Sequence, residues 1–268
     1  MLRLFPKRCT VALTASQLAG RMQPSFGARK AEQTTILDIP TPEEDGQWPA
    51  SLFALRTYLA GLEPGPCELA IVLSDRFFQF VLVPWSDRIS RVAEKEKLAR
   101  IQLELTFGTS AKDAVKIGDA GYGESAIACA MDSRLIRELA DIASERSIVI
   151  NSVVPHFMSA FNRWRRRVGQ DGVFVVCEPD HCTMLYVRNA APVALRTFRL
   201  LSSEPSDISR LLDREMLLLD VSEHVPVYCH GRPAAELKLR GPNEVVHLQL
   251  PDLGNMALPE TMLHLEEA

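Results

Sequence analysis

No window of this sequence approaches the roughly 20 consecutive apolar residues that cross a bilayer as a helix, so a transmembrane helix is not its organising element. Paired C-x-x-C motifs are also missing. Cys9, Cys67, Cys129, Cys177, Cys182 and Cys229 are scattered, mostly inside apolar runs, which excludes a zinc ribbon or a thioredoxin-like site. They read as reduced core thiols of a cytosolic protein. There is no surplus of positive charge: 30 Lys and Arg stand against 34 Asp and Glu, for a net charge of −4. That balance argues against a nucleic-acid partner held by global charge. The opening stretch carries Arg3, Lys7 and Arg8, but only Val11, Ala12 and Leu13 follow before Thr14, Ser16 and Gln17 interrupt the run. An apolar segment that short does not make a signal peptide, and the expectation is a cytoplasmic chain attached to the membrane through a partner.

What is present is an ordinary globular composition. The 268 residues, 47% hydrophobic and 24% charged, suffice for one large domain or two to three small ones. Alternation predicts strands over Thr10–Ala15, Leu18–Met22 and Thr34–Ile39, a small meander with a loop around Gly27 and Lys30. Pro40–Gln47 reads as a surface connection. Leu52, Leu55, Tyr58, Leu59 and Leu62 then fall at helical spacing in Trp48–Leu62, which Gly61 and the Pro64–Gly65–Pro66 cluster stop. Cys67–Leu73 is an apolar run broken by Glu68 alone, the pattern of a strand covered on both faces, and Phe77–Val83 reads as a second strand ended by Pro84 and Trp85.

From Asp87 the pattern is helical, with Ile89, Val92, Leu98, Ile101, Leu105 and Phe107 expected inward and Glu94, Lys95, Glu96, Lys97 and Arg100 outward. Strands are predicted at Ala114–Gly118 and Ser125–Met131, a helix over Ser133–Arg146 capped by Asp132, a strand at Ile148–Val154 and a short helix from Pro155. A new hairpin at Gly172 restarts the pattern. Strands follow at Val173–Cys177, Thr183–Arg188 and Ala194–Leu200, then a helix over Ser206–Leu219, strands at Pro226–Tyr228 and Val245–Leu250, and a helix near Ala234–Leu239. Meander plus helices, twice, is a duplicated α/β architecture without sequence repetition. Leu253–Ala268 reads as an exposed tail, either a disordered end or a partner-binding segment.

Several clusters invite chemistry. Glu178, Pro179, Asp180 and His181 between Cys177 and Cys182 suggest a metal site or catalytic thiol, but alternation on a hairpin sends neighbours to opposite faces, and a polar turn between core strands is preferred. Cys229 beside His230 suggests a nucleophile and base, yet adjacent strand residues point apart and no third orienting group is identifiable. Asp132, Glu138 and Asp141 lie on one helix, whose simpler reading is a solvated face. Arg163, Arg165, Arg166 and Arg167 around Trp164 complement a helix C-terminus, with an acidic partner or anionic lipid as functional alternatives.

The stretch Leu73–Trp85 leading into a helix, the segment Val153–Trp164, and the hairpin Val173–Tyr186 followed by Pro192–Arg199 resemble the actin-like assembly components of type IV pili and type II secretion, PilM and the cytoplasmic part of GspL. The resemblance covers most of residues 10–200. It implies an actin-like (ribonuclease H-like) duplicated fold with an inserted small α/β subdomain and a last subdomain reduced or absent. The implied division is residues 1–75 with 148–168, an insert at 76–147, and 169–268. PilM-like members carry acid and glycine in two phosphate-gripping hairpins and bind ATP, whereas GspL-like members have mostly lost them. Such turns use glycine to bring N–H groups onto an anion and a carboxylate to hold Mg²⁺ through water. Neither hairpin here has glycine, and Leu13, Thr14 and Ala15 stand where the first acid and glycine belong.

The expectation is therefore a non-catalytic adaptor with no cofactor and no metal. Its partners would be an inner-membrane single-span pilus or secretion protein and a cytoplasmic secretion ATPase. The alternatives are an active actin-like ATPase or sugar-kinase-like phosphotransferase, in which Thr14, Ser16, Gln17, Glu178, Asp180 and Thr183 would hold ATP and Mg²⁺, and a regulatory domain unrelated to secretion that shares only the layout. In PilM-like relatives a segment of the membrane partner docks in a groove of the first half. A comparable groove is expected near Phe77, Phe78 and Trp85, with Arg163 and Arg166 as further partner contacts.

Overall fold

The computed structural model describes residues 6–23, 34–40, 48–89, 91–108, 113–221, 224–231, 236–249 and 257–265. The Gly27 and Lys30 loop and the connection over 41–47 lie outside these residues. The chain divides into two units, one of residues 1–74, 133–159 and 252–268, the other of 75–132 and 160–251.

In the first unit, β1 (Lys7–Leu13), β2 (Gln17–Gln23) and β3 (Thr34–Asp38) form the expected meander. The parallel strands β4 (Cys67–Leu73) and β8 (Ile148–Pro155) extend it to the order β3-β2-β1-β4-β8. The apolar run Leu69–Leu73 of β4 is explained by cover on both faces. Val11, Gly20 and Ile71 lie in register on one face, beneath α1 (Pro49–Ala60), which starts with Pro at its first position. A Cβ on Gly20 would sit 2.1 Å from the Tyr58 ring, so only glycine lets α1 close onto β2. α3 (Ser133–Ser144) packs beside α1.

On the opposite face Ala12, Ala19 and Val72 lie in register beneath α6 (Leu258–Leu265), whose Met262 and Leu263 are buried against them. Removing two such side chains from water stabilises by about 1.5–3 kcal/mol each. The described part of the C-terminal tail is thus neither disordered nor exposed. It is a helix that the small alanines of β1 and β2 admit.

The second unit repeats the order. β9 (Gly172–Cys177), β10 (His181–Arg188) and β11 (Ala191–Arg199) form an antiparallel meander, and β12 (Val227–Gly231) and β13 (Val245–His247) add in parallel to give β11-β10-β9-β12-β13. α5 (Pro205–Leu218) lays Ile208, Leu212 and Met216 over Val173, Val175, Cys177, Cys182, Met184 and Cys229. β11 starts three residues earlier than alternation predicts because Asn189 and Ala190, at φ 54° and 62°, make a tight two-residue turn whose backbone twist matches the strands. The helix expected near Ala234–Leu239 lies partly outside the described residues, and 237–239 are irregular.

The second unit also holds a three-stranded antiparallel sheet of β5 (Gln79–Val83), β6 (Ala114–Ile117) and β7 (Ala126–Met131), packed on α2 (Val92–Phe107). Asp75–Phe77 form a 3-10 turn, so the strand expected from Phe77 starts at Gln79. α2 starts later than expected because Ile89 N–H turns back onto the Ser86 carbonyl, and Gly108 ends it in the left-handed region. Its orientation also differs from the expectation. The buried residues are Ala99 and Leu103, while Val92, Ile101, Leu105 and Phe107 are exposed, because the small sheet accepts only a narrow strip of the helix. α4 (His156–Val168) ends at Gly169, φ 71°, whose N–H caps the Arg165 carbonyl at 3.3 Å.

Candidate functional site

The turn after β1 is the position where the resemblance places the first phosphate-gripping loop, and it is shut by one side chain. Thr14 N–H donates to the Gln17 carbonyl at 2.9 Å. The Thr14 hydroxyl donates to the same carbonyl at 2.9 Å and accepts the N–H groups of Gln17 at 3.0 Å and Ser16 at 3.4 Å. One donor and two acceptor sites exhaust a hydroxyl, so Thr14 is saturated. The N–H groups of Ser16 and Gln17 are thereby bonded within the turn rather than turned toward an anion. Ser16 carbonyl accepts Ile39 N–H at 2.7 Å, and the Gln17 amide donates to Asp38 at 3.0 Å, which fasten the turn to β3.

The second hairpin is also tight. Cys177 pairs with Cys182, and Glu178 N–H donates to the His181 carbonyl at 2.8 Å, leaving Pro179 and Asp180 as the turn. Both thiols are buried in the core under α5, as a polar turn between core strands requires. The acids of this turn are engaged within the unit. Glu178, 1% exposed, accepts Asp75 N–H at 3.1 Å, and the Asp75 carboxylate accepts the hydroxyl of the fully buried Thr183 at 3.1 Å. Asp180 lies 3.0 Å from the Arg76 guanidinium and 3.2 Å from the His181 ring. Burial raises the Asp180 pKa, but the adjacent His181 ring and the charges of His181 and Arg76 outweigh it and hold the carboxyl below its ordinary value.

Gly231, φ 90°, ends β12 beside Cys177, where a Cβ would meet the Cys177 carbonyl oxygen. Asp75, Arg76 and Gly231 carry no recognisable motif, because the residues they meet, Glu178, Thr183, Asp180 and Cys177, are distant in sequence.

The other clusters separate. Cys229 lies in the core beneath α5, while His230 is buried on the other side of β12 with its ring nitrogen 3.1 Å from the Leu248 carbonyl, so they form no dyad. Glu138 and Asp141 lie on the solvent side of α3, and Asp132 is half-buried at its start. Arg163, Arg165, Arg166 and Arg167 are exposed on α4, with Arg163 stacked 5.8 Å over the buried Trp164.

The aromatic segment splits as well. Phe78 and Phe80 are buried with ring centroids 6.0 Å apart, Phe77 is half-buried under the Arg76 guanidinium, and Trp85 is 37% exposed. Trp85 meets Tyr122 edge-on at 5.0 Å, and Tyr122 is 91% exposed. Sequence reasoning misses Tyr122. Its only signal is a tyrosine between Gly121 and Gly123, a turn that must present the ring outward.

No helix among the described residues is long and apolar enough to cross a membrane. No protein-family model matches the sequence, and no curated protein matches it. Solved structures do match. A Bacteroides thetaiotaomicron protein of actin-like ATPase fold and unknown function aligns with a TM-score of 0.65 at 9% identity, over 92% of this chain and 94% of that one. The cytoplasmic domain of EpsL, an inner-membrane component of the Vibrio cholerae type II secretion system, aligns at 0.60 and 13% identity over 97% and 94%. A chain of a PilM–PilN type IV pilus biogenesis complex aligns at 0.58 and 14% over 89% and 88%. The chain has the actin-like fold, as the twice-used strand order and the resemblance implied.

Proposed function

We propose that this chain is a non-catalytic, cytoplasmic adaptor of a type IV pilus or type II secretion machine. On this reading it has no nucleotide cofactor and binds a single-span inner-membrane protein. The observation that carries the reading is the Thr14 turn. In this turn Thr14 N–H is bonded to the Gln17 carbonyl and the N–H groups of Ser16 and Gln17 to an internal hydroxyl, so three donors that could reach a phosphate are already engaged. The second hairpin supports it, because Glu178 and Asp180 are already committed to Asp75, Arg76 and His181. Support for the machine comes from the alignments with EpsL and with PilM from its complex with PilN. An exposed, edge-on Trp85–Tyr122 pair offers aromatic surface that can anchor a short peptide segment, and Arg163 and Arg166 add charge for an acidic stretch.

Two measurements test the reading. Isothermal titration with Mg·ATP is expected to give no saturable heat; micromolar binding would replace the adaptor with an ATPase or phosphotransferase. In a two-hybrid assay against the single-span inner-membrane proteins of the pilus and secretion machines of the same organism, the wild type should score with one of them, while Trp85→Asp and Phe77→Asp should not. Interaction unchanged in both variants removes the aromatic surface from the proposal.

A further inference from the structure

α2 carries two apolar strips. Ala99 and Leu103 face the small sheet, and Ile101 and Leu105 project roughly 160° away around the axis, 43% and 77% exposed. Leu98 lies at the edge between them, packed in part against the small core. Leu98, Ile101 and Leu105 are spaced three and four residues apart, the a/d seam of a helix that pairs with another helix.

The charges beside the seam indicate which helix. Lys97 and Glu104 occupy the same flank, seven residues and about 10 Å apart along the axis. Both are exposed, and among the described residues neither side chain is engaged in an ion pair. In an antiparallel pair flanking residues of the same class meet, so a two-fold axis at Ile101 sets Lys97 of each copy against Glu104 of the other, twice. The same axis stacks Leu98 on Leu105 of the other copy and Ile101 on itself. A parallel pairing would instead oppose Lys97 to Gln102 and leave the charges unmatched.

We infer that α2 is a self-association surface through which two copies of this chain pair antiparallel, with Leu98, Ile101 and Leu105 as seam and reciprocal Lys97–Glu104 bridges fixing the register. A seam of three layers is short, so the dimer belongs to the weak, concentration-dependent class. The inference does not depend on the adaptor reading, and its failure leaves that reading standing.

Analytical ultracentrifugation of the full chain across the micromolar to sub-millimolar range tests it. The weight-average mass is expected to rise from 29.9 kDa toward twice that value. Leu105→Glu, at an exposed position that folding does not need, should return the protein to monomer at every concentration, with an unchanged melting curve as control. Lys97→Glu and Glu104→Lys should each weaken the dimer by about tenfold, since like charges then oppose one another twice. The double variant Lys97→Glu/Glu104→Lys should recover the wild-type constant to within about threefold, because the swap restores both bridges. A chain that stays monomeric throughout, a dimer indifferent to Leu105→Glu, or a double variant no better than the singles would each overturn the inference.

Discussion

Thr14→Val tests the closed turn directly. Valine keeps the shape of threonine and deletes only the hydroxyl, removing three hydrogen bonds and leaving the Gln17 carbonyl its bond from Thr14 N–H. Ser16 is exposed, so water replaces its 3.4 Å bond at little cost. Gln17 is half-buried, and its N–H loses a 3.0 Å partner. A net bond contributes about 0.5–1.5 kcal/mol and an orphaned buried donor costs about 1–3 kcal/mol, partly offset by no longer burying a hydroxyl. The balance is a loss of about 1–2 kcal/mol. With a urea m-value of about 3 kcal/mol/M, the unfolding midpoint should fall by roughly 0.3–0.7 M. Native-state hydrogen exchange at the Gln17 amide should accelerate by about tenfold. Thr14→Ser keeps the hydroxyl and loses a methyl, so it should be the more stable of the two. A valine variant as stable as serine, with unchanged exchange at Gln17, would mean that the N–H groups of this turn are not tied up, and the case against phosphate binding would lose its basis.

Gly20→Ala should lower the melting temperature by roughly 2–8 °C in differential scanning fluorimetry, since the new methyl drives the Tyr58 ring off β2 at a cost of about 1–3 kcal/mol. Ala190→Gly should stabilise by about 0.5–1 kcal/mol in urea titration, because alanine is strained at φ 62° and glycine is not. Acid titration followed by circular dichroism should show stability falling as pH drops below about 4. The unfolded chain takes up the Asp180 proton near its ordinary value, while the folded chain, whose carboxyl titrates lower, resists. Asp180→Asn should flatten that part of the profile, and an unchanged slope would show that Arg76 and His181 contribute nothing there.

The elements with strong local signals were legible along the chain. Cys67–Leu73 is a strand with the boundaries its apolar run marks, and the Trp48–Leu62 spacing finds the helix at Pro49–Ala60. The two glycine-free hairpins are visible as such, and so is the absence of an acid in the first. The facing of α2 was not legible. Its largest side chains trace a convincing helical stripe, but which stripe is buried depends on the width of the sheet it meets, and that sheet comes from segments on both sides of it in sequence.

What the sequence determined by itself is periodicity, punctuation and inventory. The alternation of the two meanders, the prolines that open α1 and α5, and the lack of glycine in the turns are properties of near neighbours, and local sterics act on near neighbours. The tertiary structure decided everything that depends on register between distant segments. It brought Asp75 onto Glu178 and Thr183, set Gly20 against the Tyr58 ring, and folded the tail onto Ala12, Ala19 and Val72. Each of these contacts joins residues separated by tens to hundreds of positions, and only the pairing of strands into sheets determines which side chains share a face.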